Sequence, residues 1–307
     1  MNSSISGSTC VYLIPGDPVG NVRLPKMFNA AFERFGIDAV LVPVQVPVRD
    51  FAAWLKSAFM ARNVKGMLIA PPHKPRVVDL LDGCGLFGRV AGSVNIVRRT
   101  ANDQLEGDLF DGEGLLGALD RCNIPFRGKR VLVVGAGVSA SAIGVALAEG
   151  GTVNGAEHIA FFDTSAGKAA SVAARLDTYF DATVTVAEDS DPAGYDLVIN
   201  ATSVGLDEAQ PLPFDVDRMD GHAALFDILL RNQPTPLVRA VRARGLNAQA
   251  GFEMLVQQMP YYFDYFGHAE AAKALREDAD FIRELVYPPA MADEIRAPLR
   301  YRSASVA

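Results

Sequence analysis

Two groups of residues in this 307-residue chain have the types and spacing that chemistry needs. The first is Gly135-Ala136-Gly137-Val138-Ser139-Ala140, directly after the apolar run Val131 to Val134. Gly135 permits a tight turn. Gly137 lets the backbone approach a phosphate pair, and Ala140 lets the following helix sit close to its strand. A helix from about Ser139 to Glu149 would point unpaired N–H groups and its positive end at that anion. A second strand, His158 to Phe162, ends on Asp163, the acid expected about 20 residues past the glycines to hold ribose hydroxyls. Its charge would repel a 2′-phosphate. Strand, glycines, helix, strand and acid thus read as a dinucleotide site favouring NAD over NADP. The second group is Pro72-His73-Lys74 and the run Gly107-Asp108-Leu109-Phe110-Asp111-Gly112. Pro71 and Pro72 fix a loop at the carboxyl end of the strand Gly66–Ile69, a position ligands favour in open α/β sheets. Taken alone, Lys74 and Asp111 read as a surface lysine and an ordinary helix N-cap.

Composition narrows the classes. Half the residues are hydrophobic, and the formal net charge of -7 argues against nucleic acid as a partner. Cys10, Cys84 and Cys122 lack metal-ligand spacing, so no metal is expected, and they read as reduced thiols of a cytoplasmic protein. No apolar run has the length of a membrane span.

The elements that must position these residues follow an alternating pattern. Strands are expected at Thr9–Ile14, Ala39–Val44, Gly66–Ile69 and Ser93–Arg98. Helices are expected from Pro25 to Phe35, Phe51 to Arg62, Val77 to Leu81 and Glu113 to Cys122. Further strands lie near 131–134, 158–162, 183–187, 195–200 and 224–228, then helices at Pro236–Arg244, Phe252–Tyr265 and Ala269–Leu285. The pattern predicts an α/β protein of two domains. A substrate-binding domain would comprise 9–112 and 252–287, its C-terminal helices returning to it. A doubly wound parallel-sheet nucleotide domain would comprise 113–251, with mobile segments at 1–8 and 296–307.

Taken in order, these pieces resemble the shikimate dehydrogenase family. The resemblance rests on Gly16-Asp17-Pro18, Pro72-His73-Lys74, Gly92-Ser93-Val94-Asn95 and the Gly107 to Gly112 run. It continues through the glycine fingerprint, Asn200-Ala201-Thr202-Ser203-Val204-Gly205, Thr235-Pro236-Leu237, and Gly251 with Met254-Leu255-Val256 and Gln258. It implies reversible hydride transfer between a nicotinamide cofactor and a ring alcohol or ketone, with Lys74 and Asp111 as the acid/base pair. It also implies Asn95 and Gln258 as amides reading substrate hydroxyls. Gly135 to Ala140, Asp163, Thr164, Thr202, Ser203, Val204 and Gly251 would then hold the cofactor. The small-molecule substrate would be the main partner of a monomer or homodimer, and the family's place is aromatic amino acid biosynthesis.

The departures concern the substrate. The family's Ser-x-Ser-Pro carboxylate grip is Val22-Arg23-Leu24-Pro25 here. Its Asn-Val-Thr is Leu68-Ile69-Ala70, and its tyrosine after Asp227-Ile228-Leu229 is Leu230. Stripping donors from a bound carboxylate costs on the order of 1–3 kcal/mol for each lost partner. The expected substrate is therefore a cyclic hydroxy or keto compound other than shikimate, with Val22, Leu24, Ala70 and Leu230 lining its apolar end. An alternative is true shikimate or quinate dehydrogenase activity, with Arg23 or His73 taking over the carboxylate. A third reading is a regulator that binds nucleotide and ring compound without turnover; keeping both Lys74 and Asp111 argues against it.

Overall fold

The computed structural model describes residues 5–149, 154–206 and 208–295. The chain divides into two compact units, residues up to Phe110 with Gln258–Val286, and Asp111–Gln257 with residues from Tyr287 onward. The division differs from the sequence expectation at one helix and at Asp111–Gly112 and Tyr287, which belong to the second unit. Phe252–Gln257 belongs to the second unit, and the return to the first begins at Gln258.

The first unit is built on a mixed sheet of order β2-β1-β3-β5-β6-β4. Its strands are β1 (Cys10–Gly16), β2 (Ala39–Gln45), β3 (Val64–Leu68), β4 (Gly83–Cys84), β5 (Ile96–Arg99) and β6 (Leu105–Asp108). β1, β2 and β3 run parallel, joined by α1 (Leu24–Arg34) and α2 (Phe51–Ala58). Pro25 sits in the first turn of α1, where a missing N–H costs nothing. The outer edge of β2 is closed by Asn29, whose amide donates to Leu41 O and accepts from Leu41 N, a guard against stray strand pairing. α2 stops at Ala58, short of the expected Arg62, as the chain tightens into turns with Met60 N on Ser57 O. β5 is antiparallel to β3, so Ile96, its first residue, pairs Leu68, the last residue of β3.

Three short elements of the first unit escaped the sequence reading, β4, α4 (Leu86–Ala91) and β6. Gly85, Gly88 and Gly92 break up the α4 periodicity, although Gly92, left-handed at φ 66°, is an ordinary helix stop. The expected helix at Val77–Leu81 begins earlier, as α3 (Lys74–Val77), and continues as a 3-10 turn over Val78–Leu80. Residues 5–8, expected to be mobile, are tied down, with Ser8 donating to Asp38. The expected tail 296–307 lies outside the described residues.

The second unit holds a six-stranded parallel sheet of order β12-β11-β10-β7-β8-β9. These strands are β7 (Arg130–Val134), β8 (His158–Phe162), β9 (Thr183–Val186), β10 (Leu197–Asn200), β11 (Ala224–Asp227) and β12 (Ala248–Ala250). The order reverses at β7, the topological switch point of a doubly wound sheet. Its helices are α5 (Asp111–Arg121), α6 (Val138–Ala148), α7 (Ala166–Tyr179), α8 (Pro236–Ala243) and α9 (Phe252–Gln257). From Ala140 to Ala148 every residue of α6 is buried, which fits its all-round apolar sequence. The long helix expected over Phe252–Tyr265 is broken. Pro260 lacks the N–H a continuous helix needs, and a new helix, α10 (Met259–Tyr265), starts beside it. The next expected helix is likewise split into α11 (Ala269–Glu277) and α12 (Asp280–Val286), where Asp278 leaves the helix and its carboxylate accepts from Asp280 N. Back in the first unit, Phe28 of α1 stacks on Phe263 of α10 at 5.0 Å.

Among the described residues, no helix is long and apolar enough to cross a membrane, and no group of three or more His, Cys, Asp or Glu could hold a metal.

Candidate active site

The carboxyl ends of β1 and β3 and the start of β5 meet along one edge of the first sheet. Backbone bonds tie their loops together. Ala70 N donates to Pro15 O, Asp17 N to Pro71 O and Ile69 N to Asn95 O. Lys74 opens α3 from the Pro71-Pro72 loop, and its carbonyl accepts Val94 N at 3.2 Å. Lys74 and Asn95, far apart in sequence terms, are therefore held on adjoining backbone. Lys74 is half-buried and Asn95 is buried.

The Asn95 side chain is set on both sides. Its Oδ1 accepts Phe110 N at 3.2 Å, and its Nδ2 donates to the Tyr262 hydroxyl at 2.9 Å. Tyr262 in turn donates to Gln258 Oε1. All three side chains are buried. The structure thus joins the two expected amides through a tyrosine the sequence reading did not select. Four residues separate Tyr262 from Gln258, which on a helix puts both on one face; that spacing was the available signal. Asp111 follows Phe110 directly and opens α5 in the second unit, where its side chain is buried.

The four apolar positions have separate surroundings. Val22 and Leu24 are half-buried at the start of α1. Ala70 is buried against Gly16, where a Cβ on the glycine would lie 3.0 Å from the alanine methyl. Leu230 belongs to the second unit and packs against Ala250, Phe252 and Met291. The two carboxylate substitutes are otherwise engaged. His73, fully buried, stacks on Phe51 at 4.1 Å, and its Nε2 meets Val46 O at 2.9 Å. Facing a carbonyl, Nε2 must donate. Burial holds this imidazole below its ordinary pKa, against the opposing pull of that carbonyl, so it is neutral at pH 7. Arg23 donates to Val286 O at 3.5 Å.

In the second unit, β7 leads into the glycine loop. Gly135 has φ 107°, and an added Cβ would lie 2.8 Å from Ala201 O, so only glycine fits. A Cβ on Gly137 would meet nothing within 4 Å. That open space adjoins the first turn of α6 at Val138, Ser139 and Ala140, whose N–H groups are of the kind that would suit a pyrophosphate. Asp163 closes β8 and grips this loop. Its Oδ2 accepts Ala136 N and its Oδ1 accepts Ser165 N, both at 2.9 Å. Desolvation opposes its charge, but these two N–H groups and the Lys168 charge outweigh it and hold Asp163 below the usual carboxylate range. The acid expected to face ribose therefore also braces the glycine loop, with Thr164 beside it in the turn to α7.

The loop after β10 is organised internally. Thr202 donates from its hydroxyl to Asn200 Oδ1 at 2.7 Å and accepts Val204 N at 3.0 Å, so its side chain shapes the turn through Ser203 and Val204. Asn200 Nδ2 donates to Asp227 Oδ1, and Thr235 donates to Asp227 Oδ2 at 2.6 Å while capping α8 through Val238 N. Burial pushes the Asp227 carboxyl up to about 6 despite these donors. Gly251 lies against the Ile228 carbonyl, where no Cβ fits, which gives that glycine a packing reason independent of any ligand.

The comparisons with known proteins agree with this arrangement. Residues 14–97 match the model of the shikimate dehydrogenase substrate binding domain. The shikimate dehydrogenase (NADP(+)) of Rubrobacter xylanophilus is 33% identical over 259 residues, covering 83% of this chain and 89% of the relative. Ligand-free 5-ketofructose reductase of a Gluconobacter species superposes with a TM-score of 0.76 at 28% identity, over 88% of this chain and 98% of that one. Shikimate 5-dehydrogenase of Listeria monocytogenes, solved with shikimate and NAD, shares the fold with a TM-score of 0.79 at 23% identity, over 94% and 99% of the two chains. On the sheet topology, the glycine loop and these relatives, the chain belongs to the shikimate dehydrogenase family and is an oxidoreductase acting on CH–OH groups with a nicotinamide nucleotide.

Proposed function

We propose that the chain interconverts a cyclic hydroxy compound and its ketone, using NAD, and that the substrate lacks the carboxylate of shikimate. The observation that carries this reading is the state of the would-be carboxylate site. Val22 and Leu24 offer no side-chain donors, neutral His73 has its one N–H on Val46 O and keeps only an acceptor at Nδ1, and Arg23 reaches the Val286 carbonyl at 3.5 Å. A reductase named for 5-ketofructose, a keto sugar, is a structural relative at 28% identity, which supports a family site used without a shikimate-type acid. Bound NAD would supply the hydride acceptor. Lys74 would take the hydroxyl proton as the alcohol is oxidised and return it on reduction, with Asp111 orienting both. Asn95 and Gln258 would hold neighbouring oxygens. Gly135 to Ala140 would hold the pyrophosphate and Asp163 the ribose. The ionised Asp163 favours NAD, whereas the Rubrobacter relative is named for NADP(+). That relative's name also keeps a second reading open, shikimate dehydrogenase proper with donors drawn from elsewhere.

The discriminating experiment is Val22→Ser with Leu24→Ser. Restoring two hydroxyl donors should raise kcat/KM for shikimate by roughly tenfold or more, at about 1 kcal/mol for each hydrogen bond. A wild-type enzyme that already uses shikimate well, with no gain in the double variant, would overturn the proposal.

A further inference from the structure

The hydrogen bonds around Asn95 have a direction that one backbone group imposes. Phe110 N can only donate, so Asn95 must turn its oxygen toward it. The Asn95 nitrogen then faces Tyr262, and an amide nitrogen only donates, so the Tyr262 oxygen must accept. The single Tyr262 proton is left to go onward, and the Gln258 atom that receives it must be the oxygen. The polarity passes through three buried side chains of the first unit, from the loop after β6 to the start of α10. The Gln258 amide consequently has its acceptor end engaged by Tyr262, and its NH₂ end is the one turned elsewhere.

From this polarity we infer that Tyr262 is a specificity-determining positioning residue, which makes Gln258 present N–H donors to the substrate. The substrate group read there is an oxygen that accepts, either a hydroxyl oxygen or a carbonyl. Without Tyr262 the Gln258 amide could present either end, and the discrimination between an acceptor and a pure donor would fade. The inference rests on the proposed role of Gln258 in substrate binding, whereas the polarity itself stands on the structure alone.

Two measurements separate these levels. The first is a ¹H–¹⁵N spectrum of side-chain amides, with the Asn95 and Gln258 signals assigned from Asn95→Asp and Gln258→Glu variants. The Asn95 NH₂ signal should move in Tyr262→Phe but persist in Gln258→Glu, because a carboxylate still accepts the Tyr262 proton. An Asn95 signal unmoved by Tyr262→Phe would overturn the relay. The second measurement uses whichever of 5-ketofructose, shikimate and quinate the wild type turns over best. Tyr262→Phe should raise its KM on the order of tenfold, the worth of one misdirected buried hydrogen bond. The kcat should stay within about twofold in the same comparison, since the proton-transfer pair is untouched. A lowered melting temperature with KM unchanged would reduce Tyr262 to a packing residue and overturn the specificity role. A wild type inactive on all three compounds would count against the proposed function, and the amide spectrum would still decide the relay.

Discussion

A lysine at the edge of a sheet has many possible uses, and Lys74 is singled out by what adjoins it. Its carbonyl is bonded to Val94 N, one residue before the buried Asn95, so its position follows from the sheet rather than from a flexible loop. Lys74→Ala should lower kcat by ~10²–10⁴, the usual contribution of a positioned acid/base, and leave NAD affinity unchanged by titration calorimetry. Asp163 holds Ala136 N and Ser165 N with its carboxylate, and on the proposed reading its charge would also select against a 2′-phosphate. Asp163→Asn keeps one acceptor but removes the charge. The ratio of kcat/KM for NAD over NADP should fall toward unity; a ratio unaffected by the change would remove Asp163 from cofactor selection. At this scale much was legible in the sequence. The glycine spacing and the acid at the end of β8 announced themselves as residue types at fixed intervals. His73 did not, because its ring stacking on Phe51 and its bond to Val46 depend on residues more than 20 positions away.

Single elements carry their own stability signature. Thr235 caps α8 and also donates to Asp227. Thr235→Val should cost about 2 kcal/mol in urea unfolding, a lost cap plus a carboxyl deprived of a buried donor. Asp227 itself gives a pH dependence. Its folded pKa of about 6 lies above the ordinary aspartate value of 3.8, so the folded state holds the proton more tightly than the unfolded chain. The stability from this group is therefore full below about 4 and is lost as pH rises through about 6, by roughly 3 kcal/mol at most. In Asp227→Asn the melting temperature should lose this fall between pH 4 and 6; an unchanged profile would mean the group titrates normally. Strong periodicity made α1, β7 and β8 readable. The breaks at Gln258 and Asp278 were harder, since helical spacing continues across both. Pro260 marks the first, since a proline inside a helical pattern ends or kinks it.

At the scale of the whole molecule, the residues proposed for the reaction fall in two units. One presents Lys74, Asn95, Tyr262 and Gln258, and the other the glycine loop, Asp163 and Asp111. The α/β class and the doubly wound parallel sheet of the second unit followed from alternating strands and helices, whereas the antiparallel β5 and the short β6 of the first did not, because brief strands rich in glycine and charge leave little pattern. NAD should raise the melting temperature, as a ligand at a hundredfold its Kd adds about 2.7 kcal/mol, and Gly137→Val should abolish that rise by filling the open space. The central claim is a family dehydrogenase that no longer reads a carboxylate. Its most direct test is steady-state turnover by the purified protein with NAD or NADH on shikimate, quinate, 5-ketofructose and related ring alcohols and ketones without an acid group. The account predicts that a compound without a carboxylate exceeds shikimate and quinate in kcat/KM by about thirtyfold, the cost of two missing donors at about 1 kcal/mol each. Shikimate or quinate turned over faster than every such compound would contradict it.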